Sequence, residues 1–559
     1  MFKIIQYEKF VQNRVVAYFR SYNVWTKEKV VVSPFKDVDI PDVTISEYIW
    51  SKIHRWPNKI AVVCGVTDRK YSYNQLYKAS QCLAANLRTK FKIKDGDMVA
   101  VMMPNLPEYP ITVLGIQSAG GAATTLNPIY TPYEVKKQLE LSNTKLIFTT
   151  PELVPTVKEA LKLNKQNIPI IVMDLITGRP EGTVSYYELI GDDVDLSVLK
   201  DVKIRPSDVA VLPYSSGTTG LPKGVELTHR NLVANCQQQT TECRHYEHTT
   251  DTNQDTLLAL LPMFHSYGLS VVMFSGLSAG LKLVTLPKFQ ASTFVEALEN
   301  FKMNIMYLAP PTLLFLATHP EVKSEQLDQL RSVTIGAAPS PKTDIENFMK
   351  KVNREFHFGQ AYGLTETAPL ATIAPLGFKN YASVGFPVPN TQLRIVDENL
   401  NNLGPDEVGE LLLRGPNIMK GYRDNPEANR NAFVDGWFRS GDLASINEEG
   451  AVTIADRLKE LIKVKGYQVP PAELESVLKE HEAVFDAAVV GAPDPSSGQK
   501  PKAFVVLNNN SKARESEILE FVNEKVAAYK RIKDIVILDA IPKNPSGKIL
   551  RRVLVQKYC

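Results

Sequence analysis

The chain has 559 residues, enough for about three or four domain-sized units with ordinary hydrophobic cores. Its composition, 44% hydrophobic and 22% charged, is typical of a globular protein and excludes a disulfide-stapled miniprotein. The formal net charge of +3, from 64 basic and 61 acidic side chains, provides no overall field for nucleic acid or an anionic membrane, and no apolar run reaches the roughly 18 residues of a membrane span. We therefore expect no nucleic-acid partner and no integral membrane association, and any anion must be bound locally.

The N-terminal segment is basic. Four basic side chains and the single acid Glu8 are interleaved with apolar residues over the first 25 positions, a pattern that resembles a mitochondrial presequence. A leader helix that carries no targeting signal explains the same pattern, and we interpret residues 1–40 as an N-terminal leader. The five cysteines form no CxxC pair, which favours free thiols in a reducing, intracellular compartment. We favour the cytosol, with the mitochondrion as the alternative, because residues 557–559 are not the standard peroxisomal signal.

Apolar runs of strand length then alternate with amphipathic stretches. Strands are predicted at 98–103, 145–150, 257–262, 281–287, 304–310 and 333–339, and helices at 108–119, 133–142 and 291–301. This alternation predicts repeated βα units and parallel sheets. From 385 to 455, short segments separated by Gly- and Asn-rich turns predict a small β-rich subdomain.

A different pattern follows Asp456. Helices are predicted at 471–481 and 515–530, strands at 486–493, 502–507 and 534–542, and a last basic helix after the loop that precedes Lys548. Pro471 suits the first turn of its helix, where a missing amide costs nothing. The predicted fold class is therefore α/β: a large N-terminal body of several subdomains, with parallel αβ sheets and the β-rich subdomain, followed by a smaller α+β C-terminal domain.

The most informative local pattern runs from Asp208 to Val225. An apolar strand leads into a loop dense in glycine and hydroxyl residues, and residues 226–235 are predicted as a helix with Thr228 as its N-cap. Such a loop turns backbone amides and hydroxyls toward an anion, and Lys223 completes the cradle, so a polyphosphate is its expected ligand. Its predicted ligand-contacting residues are Ser215, Ser216, Gly217, Thr218, Thr219, Gly220 and Lys223. It is not a Walker A loop, because Lys223 is followed by Gly224 rather than by serine or threonine.

These residues, YSSGTTGLPKGVELTHRNL, resemble the signature loop of the adenylate-forming superfamily, which contains acyl-CoA synthetases, 4-coumarate-CoA ligases and firefly luciferases. The further motifs that resemble this family, in its order, are PMFHSYGL (262–269), GAAP (336–339), QAYGLTETAP (360–369), GWFRSGDLA (436–444), DRLKELIKVKGYQVPPAELE (456–475) and PKNPSGKILRR (542–552). The resemblance implies an AMP-binding domain over 41–456, with 385–455 its β-rich part, and a mobile C-terminal lid domain over 457–559.

The resemblance also implies an enzyme with two half-reactions. A carboxylate attacks the α-phosphate of ATP to give acyl-AMP and pyrophosphate, and the thiol of coenzyme A then displaces AMP. The substrates implied are a small carboxylic acid, ATP and coenzyme A, with Mg²⁺ held at Glu366 and the protein a monomer or weak homodimer. The nucleotide contacts implied outside the glycine-rich loop are Ala337, Gln360, Ala361, Tyr362, Gly363, Thr365, Asp442, Arg457 and Lys548.

Four lysines, a glycine and a histidine carry the remaining roles that the resemblance implies. Lys548 would bridge the carboxylate and the α-phosphate, and Lys463 would act with Lys465 and Gly466 at the coenzyme A face. Lys459 would be the hinge on which the lid rotates between the half-reactions. His265 is assigned carboxylate positioning rather than general-base work, because a carboxylate is already ionised at neutral pH.

The acyl pocket predicted by motif matching consists of His265, Tyr267, Ser270, Ile335, Gly336, Ala337, Pro369 and Leu370. Its small residues leave width for a planar ring or an alkyl chain, so we expect an arylpropenoate or a medium- or long-chain fatty acid. The pair Pro369-Leu370 is similar to the coumarate-ligase pattern, whereas luciferases carry Ser-Ala there. A luciferase-like monooxygenase that oxidises a luciferyl-adenylate stays the alternative, and a noncatalytic nucleotide binder is disfavoured by the intact motif set.

Overall fold

The computed structural model describes residues 24–174, 178–191, 193–215, 223–240, 242–457, 460–464, 467–494, 498–509, 511, 513–526, 528–544 and 547–559. At 456, 457, 463, 467, 468 and 498 it describes the backbone alone. Within these ranges the strands form four sheets, two of nine strands, one of six and one of five. No helix in them is long and apolar enough to cross a membrane.

The first sheet holds the glycine-rich loop at one edge. Its strands, in spatial order, are Tyr214–Ser215, Lys223–Thr228, Val209–Val211, Ala122–Thr125, Met98–Met102, Leu146–Thr149, Ile170–Val172 and Val184–Ser185, with Gly421–Tyr422 paired to Lys223–Thr228. The central strands run parallel, as the βα pattern predicts, and the edge strands at the loop are antiparallel. Residues 226–228 continue a strand rather than starting the predicted helix, because Val225 and Leu227 alternate into the core; the helix begins at His229, with Thr228 as its N-cap.

The second sheet lies against the same core. Its strands, in spatial order, are Phe386–Pro387, Leu370–Ile373, His357–Gly363, Ser332–Ile335, Ile305–Leu308, Thr256–Ala259, Lys282–Thr285, Ile60–Cys64 and Lys70–Ser72. Buried residues from both sheets and from the helix Tyr73–Thr89 form one continuous hydrophobic cluster. The outer face of this sheet packs on the helices Ala291–Phe301, Pro310–Thr318 and Lys342–Val352.

The remaining helices of the body are Ile45–Trp50, Glu108–Ser118, Pro132–Ser142, Val154–Leu163, Tyr186–Gly191, His229–Gln238, Ser275–Ser278 and Pro426–Ala432, with a π-helix at Tyr267–Phe274. Short 3₁₀ turns lie at Ile53–Arg55, Pro151–Leu153, Leu196–Asp201, Ser324–Leu327 and Thr365–Thr367. The π-helix follows directly on the predicted site histidine, His265. Its wider turn is a feature often found at functional sites.

The third sheet is the predicted β-rich part with one added strand. Its strands are Val31–Val32, Gln392–Val396, Gly409–Arg414, Trp437–Ile446 and Phe433–Val434, with Val452–Arg457 paired to Trp437–Ile446. The strand Val31–Val32 comes from the segment interpreted as a leader, and Val24, Val31 and Phe35 are buried. Residues 24–40 are therefore packed into the body, because these apolar side chains complete the edge of this sheet.

The fourth sheet forms the C-terminal α+β unit, which confirms the predicted fold class of a large α/β body and a smaller second domain. Its strands are Tyr467–Val469, Ile462–Val464, Gly498–Leu507 and Val484–Asp494, with Asp534–Ile537 paired to Gly498–Leu507. The helices Pro471–Lys479 and Glu515–Lys525 pack on one face through their own hydrophobic cluster. The helix Arg551–Tyr558 covers the other face, and a 3₁₀ turn lies at Ala528–Lys530.

Candidate active site

A cavity of about 830 Å³ lies where the body meets the C-terminal domain. Of the residues predicted from the sequence, it brings together Ser215, Lys223, His265, Tyr267, Gly336, Ala337, Ala361, Tyr362, Gly363, Thr365, Glu366, Pro369, Leu370, Asp442 and Lys548. Gln360, Ser270 and Ile335 are buried and do not line it. Residues 216–220, Lys459, Lys465 and Gly466 lie outside the described residues, as do the side chains of Arg457 and Lys463.

Glu366 is the buried carboxylate of this cavity. It follows the strand His357–Gly363, in the turn Thr365–Thr367, and is 8% exposed. The hydroxyls of Ser215 and Tyr422 each donate a hydrogen bond of 2.9 Å to its Oε1 atom. Burial, and then the neighbouring carboxylate of Glu366, raise the pKa of Tyr422, so its hydroxyl stays a donor. These neutral donors orient the carboxylate without cancelling its charge.

The donor set around Glu366 fits Mg²⁺ held mainly by phosphate oxygens. No group of three or more His, Cys, Asp or Glu side chains that could hold a metal ion occurs within the described ranges. A single oriented carboxylate suits Mg²⁺, which usually takes one or two carboxylates together with substrate phosphates. Lys223, whose Nζ lies 5.0 Å from the centre of the Tyr422 ring, lines the same part of the cavity and places a positive charge there.

Tyr362 and Asp442 are joined in the wall of the cavity. Tyr362 lies near the end of the strand His357–Gly363, and Asp442 lies on the strand Trp437–Ile446 of the third sheet. The Tyr362 hydroxyl donates a hydrogen bond of 2.7 Å to Asp442 Oδ2, and Ser440 Oγ accepts one of 3.0 Å from the Asp442 backbone amide. The carboxylate, 3% exposed, is thereby held facing a cavity that an aromatic ring also lines.

Gly363 is required by a close approach of two chain segments. A Cβ atom at this position would overlap the carbonyl group of Pro369, on the segment that pairs with it through Gly363↔Leu370. Glycine at this position therefore lets the strand that carries Tyr362 approach the segment at Pro369 closely.

His265 is held as a neutral imidazole. Its Nδ1 atom accepts a hydrogen bond of 3.2 Å from the Tyr267 amide, so the proton of the neutral ring is on Nε2. Burial, and then the positive charge of Lys548, lower the pKa of His265 to about 4. At neutral pH the ring is therefore uncharged and has its Nε2–H group available as a hydrogen-bond donor.

Lys548 reaches the cavity from the C-terminal domain. The backbone amide of Lys548 donates a hydrogen bond of 2.8 Å to Asn544 Oδ1, and its backbone carbonyl accepts one of 2.9 Å from the Asn544 amide. Asn544 therefore fixes the backbone of the loop that carries Lys548. Glu460, just after the predicted hinge, lies 3.9 Å from Lys548 Nζ and 2.9 Å from Arg551 Nε. Contacts within the C-terminal domain thus position the ammonium group of Lys548 in a cavity that is formed mostly by residues of the body.

Part of the cavity wall is apolar. Tyr267, at the start of the π-helix, is 8% exposed and lies beside Gly336, where an added Cβ would be 3.0 Å from the Tyr267 ring. Val271 and Leu370 extend the apolar wall. Val271 lines the cavity where the sequence predicted Ser270, because the wider i→i+5 turn of a π-helix rotates position i+3 away from the face of Tyr267 while position i+4 stays on it.

Sequence reasoning also missed polar residues that the cavity uses. Tyr422 lies outside the recognised motifs and reaches Glu366 through the pairing of Gly421–Tyr422 with Lys223–Thr228. Asn544 and Arg439 lie within quoted motifs but carried no assignment. Arg439 forms an ion pair of 2.5 Å with the largely buried Glu410, and both residues line the cavity. Because Asn544 and Arg439 both lie within recognised motifs, their positions in those motifs could have identified them as candidate site residues.

Profiles of known protein families match most of this chain. A profile of the AMP-binding enzyme family matches residues 49–423, and a profile of the AMP-binding enzyme C-terminal domain matches residues 473–548. The chain is 38% identical over 539 residues to 4-coumarate–CoA ligase 3 of Oryza sativa subsp. japonica, covering 94% of this chain and 95% of that protein. It is 37% identical over 539 residues to 4-coumarate–CoA ligase 1 of Arabidopsis thaliana, covering 94% of each.

Solved structures show the same architecture. ATP-bound MatB from Rhodopseudomonas palustris superposes with a TM-score of 0.82 at 26% identity, covering 93% of this chain and 99% of that one. A benzoate CoA ligase from Burkholderia xenovorans LB400 superposes with a TM-score of 0.82 at 25% identity, covering 92% and 100%. With both profiles matched in order and the relatives aligned over almost their whole length, this chain belongs to the AMP-binding enzyme family of the adenylate-forming superfamily.

Proposed function

We propose that this AMP-forming acid–CoA ligase activates a hydrophobic carboxylic acid, either an arylpropenoate or a medium- or long-chain fatty acid. One carboxylate oxygen attacks the α-phosphorus of ATP, the bond to the β-phosphate breaks, and acyl-AMP and pyrophosphate form. The sulfur of coenzyme A then attacks the acyl carbon, AMP leaves, and the thiol proton is released. The placement of Lys548 in one cavity with His265, Glu366 and Asp442 is the observation that carries this proposal.

The first step brings a carboxylate onto a polyanion, so fixed donors and positive charge must be in place before reaction. His265 presents Nε2–H to the carboxylate, and the ammonium group of Lys548 neutralises charge that grows at the α-phosphate. Lys223 faces the phosphate chain. When bound, Mg²⁺ held by Glu366 would neutralise charge on the phosphates and favour departure of pyrophosphate.

The nucleoside is bound by a separate set of residues from those that act on the phosphates and the acid. The carboxylate of Asp442 accepts from a ribose diol, which offers two hydroxyl donors, while the Tyr362 ring offers a face for adenine. These contacts hold the α-phosphate within reach of Lys548. The predicted contributions of the loop 216–220 and of Arg457 would add to this hold.

The acid class is supported by the apolar end of the cavity. Tyr267, Val271 and Leu370 provide apolar walls, and Gly336 leaves width next to the Tyr267 ring. An unbranched chain or a planar arylpropenoate matches a space bounded by aliphatic and aromatic side chains. Rotation of the lid about Lys459, with the face around Lys463 replacing Lys548, remains our proposal for the coenzyme A step.

A screen of purified enzyme with ATP, Mg²⁺ and coenzyme A, across cinnamates and across fatty acids of graded length, tests the proposal. We expect thioester formation with stoichiometric AMP and pyrophosphate, and at least a tenfold preference in kcat/KM for one of these two series over acetate and succinate. Preference for a short or dicarboxylic acid would overturn the substrate class. Light emission with luciferin and ATP, without thioester formation, would favour the luciferase-like alternative.

The role of Lys548 is tested on the separated half-reactions. Lys548→Ala should lower acid-dependent ATP–pyrophosphate exchange by about 10²- to 10³-fold, the usual loss when a transition-state charge partner is removed. The same variant should form thioester from preformed acyl-AMP at close to the wild-type rate. Lys463→Ala should show the reverse pattern. Equal loss of both half-reactions in Lys548→Ala would contradict its assignment to adenylation.

A further inference from the structure

A buried ion pair joins the two domains away from the cavity. Asp344 lies in the first turn of the body helix Lys342–Val352, and Lys479 is the last residue of the helix Pro471–Lys479 in the C-terminal domain. Lys479 Nζ lies 3.0 Å from Asp344 Oδ2, and the two side chains are 9% and 7% exposed. Each charge also has the sign that stabilises its own helix terminus.

Within the C-terminal domain, further ion pairs connect Lys479 to the loop that carries Lys548. Lys479 Nζ lies 3.9 Å from Asp486 Oδ1, and Asp486 Oδ2 forms a 2.6 Å ion pair with Lys543. Lys543 precedes Asn544, the residue that clasps the backbone of Lys548. The chain of charges Asp344, Lys479, Asp486 and Lys543 therefore runs from the body surface to the loop that carries the catalytic lysine.

The same loop touches the body at a second point. Gly547 has φ of +83°, and a Cβ atom there would lie 2.7 Å from Pro311 Cδ, in the helix Pro310–Thr318. That helix shares its hydrophobic cluster with the helix that carries Asp344. Both contacts to the C-terminal domain thus rest on one packed pair of body helices.

We propose that the Asp344–Lys479 pair is the contact that selects the domain arrangement in which Lys548 occupies the cavity. This inference rests on the proposed function. A buried ion pair costs desolvation and is compensated only while both partners meet, so its loss acts on the one arrangement that contains it. A domain rotation separates the pair and returns both charges to water. Asp344 and Lys479 are therefore positioning residues for adenylation and have no part in the coenzyme A step.

Asp344→Asn tests this inference with the least disturbance, because Lys479 keeps Asp486 as a partner inside its own domain. Acid-dependent ATP–pyrophosphate exchange should fall about tenfold, within the range typical of coupling between two states. Thioester formation from preformed acyl-AMP should stay within about twofold of wild type, or rise. The conservative variant Asp344→Glu should recover most of the lost exchange, which establishes that the charge and not the fold is responsible.

Two further variants separate positioning from general stability. Glu473 lies on the same helix as Lys479, but its 2.7 Å ion pair with Lys530 is formed entirely within the C-terminal domain. Glu473→Gln removes this pair and should change neither half-reaction. In a Lys479→Met background, Asp344→Asn should cause no additional loss, because the contact is already broken.

Equal changes in both half-reactions of Asp344→Asn, or no change in either, would overturn the inference. Failure of the wild-type enzyme itself to exchange pyrophosphate with any acid would instead overturn the proposed function. Melting temperatures of all variants, measured beside the wild type, identify a variant that loses both half-reactions because it is unfolded. In that case the double substitution Asp344→Asn with Lys479→Met, which leaves no unpaired buried charge between the domains, decides the question by the same split of half-reactions.

Discussion

The hydroxyl of Tyr362 donates a hydrogen bond of 2.7 Å to Asp442 Oδ2, and this bond connects the second sheet to the third in the wall of the cavity. Tyr362→Phe keeps the ring and removes this bond. Because a hydrogen bond to a charged group contributes about 1.5–3 kcal/mol, KM for ATP should rise about tenfold or more, with kcat nearly unchanged. Initial rates over a range of ATP concentrations measure both constants. A fall in kcat at unchanged KM would contradict a role in ATP binding.

Removal of the buried carboxylate should show its part in metal binding. Glu366→Gln keeps the size of the side chain and removes the charge that we assign to Mg²⁺. Pyrophosphate exchange should fall about 10²-fold or more, and the Mg²⁺ concentration for half-maximal rate should rise. Tyr422→Phe serves as the comparison, because it removes one donor to Glu366 but leaves the carboxylate, and should change the Mg²⁺ requirement only a few-fold. An unchanged Mg²⁺ requirement in Glu366→Gln would show that the metal is held elsewhere.

The pH dependence of adenylation follows from the neutral state of His265. Burial and the charge of Lys548 lower its pKa from 6.5 to about 4, so the ring stays uncharged as pH falls from 8 to 5 and becomes protonated only near pH 4. His265→Ala should lower the rate of pyrophosphate exchange by a similar factor at every pH from 6 to 8. An acidic limb near pH 6.5 that is present in the wild type and lost in the variant would show that the ring titrates and acts as a base.

The same pKa shift has a consequence for stability. The unfolded chain binds a proton at His265 with a pKa near 6.5, and the folded chain does so only near 4, so the unfolded state holds more protons between these values. The contribution of His265 to stability is therefore complete above pH 6.5 and is lost as pH falls toward 4. Melting temperatures at pH 7.5 and 5 should differ less in His265→Ala than in the wild type.

The width of the acyl pocket that we propose depends on the absence of a side chain at Gly336. An added Cβ would lie 3.0 Å from the Tyr267 ring, so Gly336→Ala must displace that ring or fill space beside it. For an arylpropenoate or a long-chain acid, kcat/KM should fall about tenfold, while KM for ATP should not change. Val271→Ala makes the opposite change and should admit a bulkier acid. Equal losses for short and bulky acids in Gly336→Ala would exclude a specific effect on pocket width.

Local patterns predicted most elements, because hydrophobic periodicity and capping are properties of neighbouring residues. The helix after the glycine-rich loop illustrates both the success and its limit. Thr228 is the N-cap, with its hydroxyl accepting from Asn231 and Asn231 Oδ1 accepting from the Thr228 amide, but the preceding residues belong to a strand. Strand pairing of Leu227 with Val211 decides that boundary, and it depends on tertiary contacts that a sequence window does not contain.

The lining of the cavity was predictable where a residue lies in a recognised motif, as at Glu366, Asp442 and Lys548, whose chemical roles stay predictions. It was not predictable where a residue acts from another segment, as Tyr422 does on Glu366, or where helix geometry departs from the α-helix, as it does between Ser270 and Val271. The N-terminal segment shows the same limit. Val31 joins the third sheet through a pairing with Leu393, more than three hundred positions away in the sequence.

The polar contacts of the cavity join residues that are far apart in the sequence, and this affects when the cavity can form during folding. The hydrogen bond from Ser215 to Glu366 joins residues 151 positions apart, that from Tyr362 to Asp442 joins residues 80 apart, and that from Tyr422 to Glu366 joins residues 56 apart. Contacts of such high sequence separation form only after the sheets have docked, so no partly folded body would contain the site. We therefore expect the nucleotide to bind only after the three sheets have docked, and ATP should protect all three sheets of the body from hydrogen exchange as one cooperative unit.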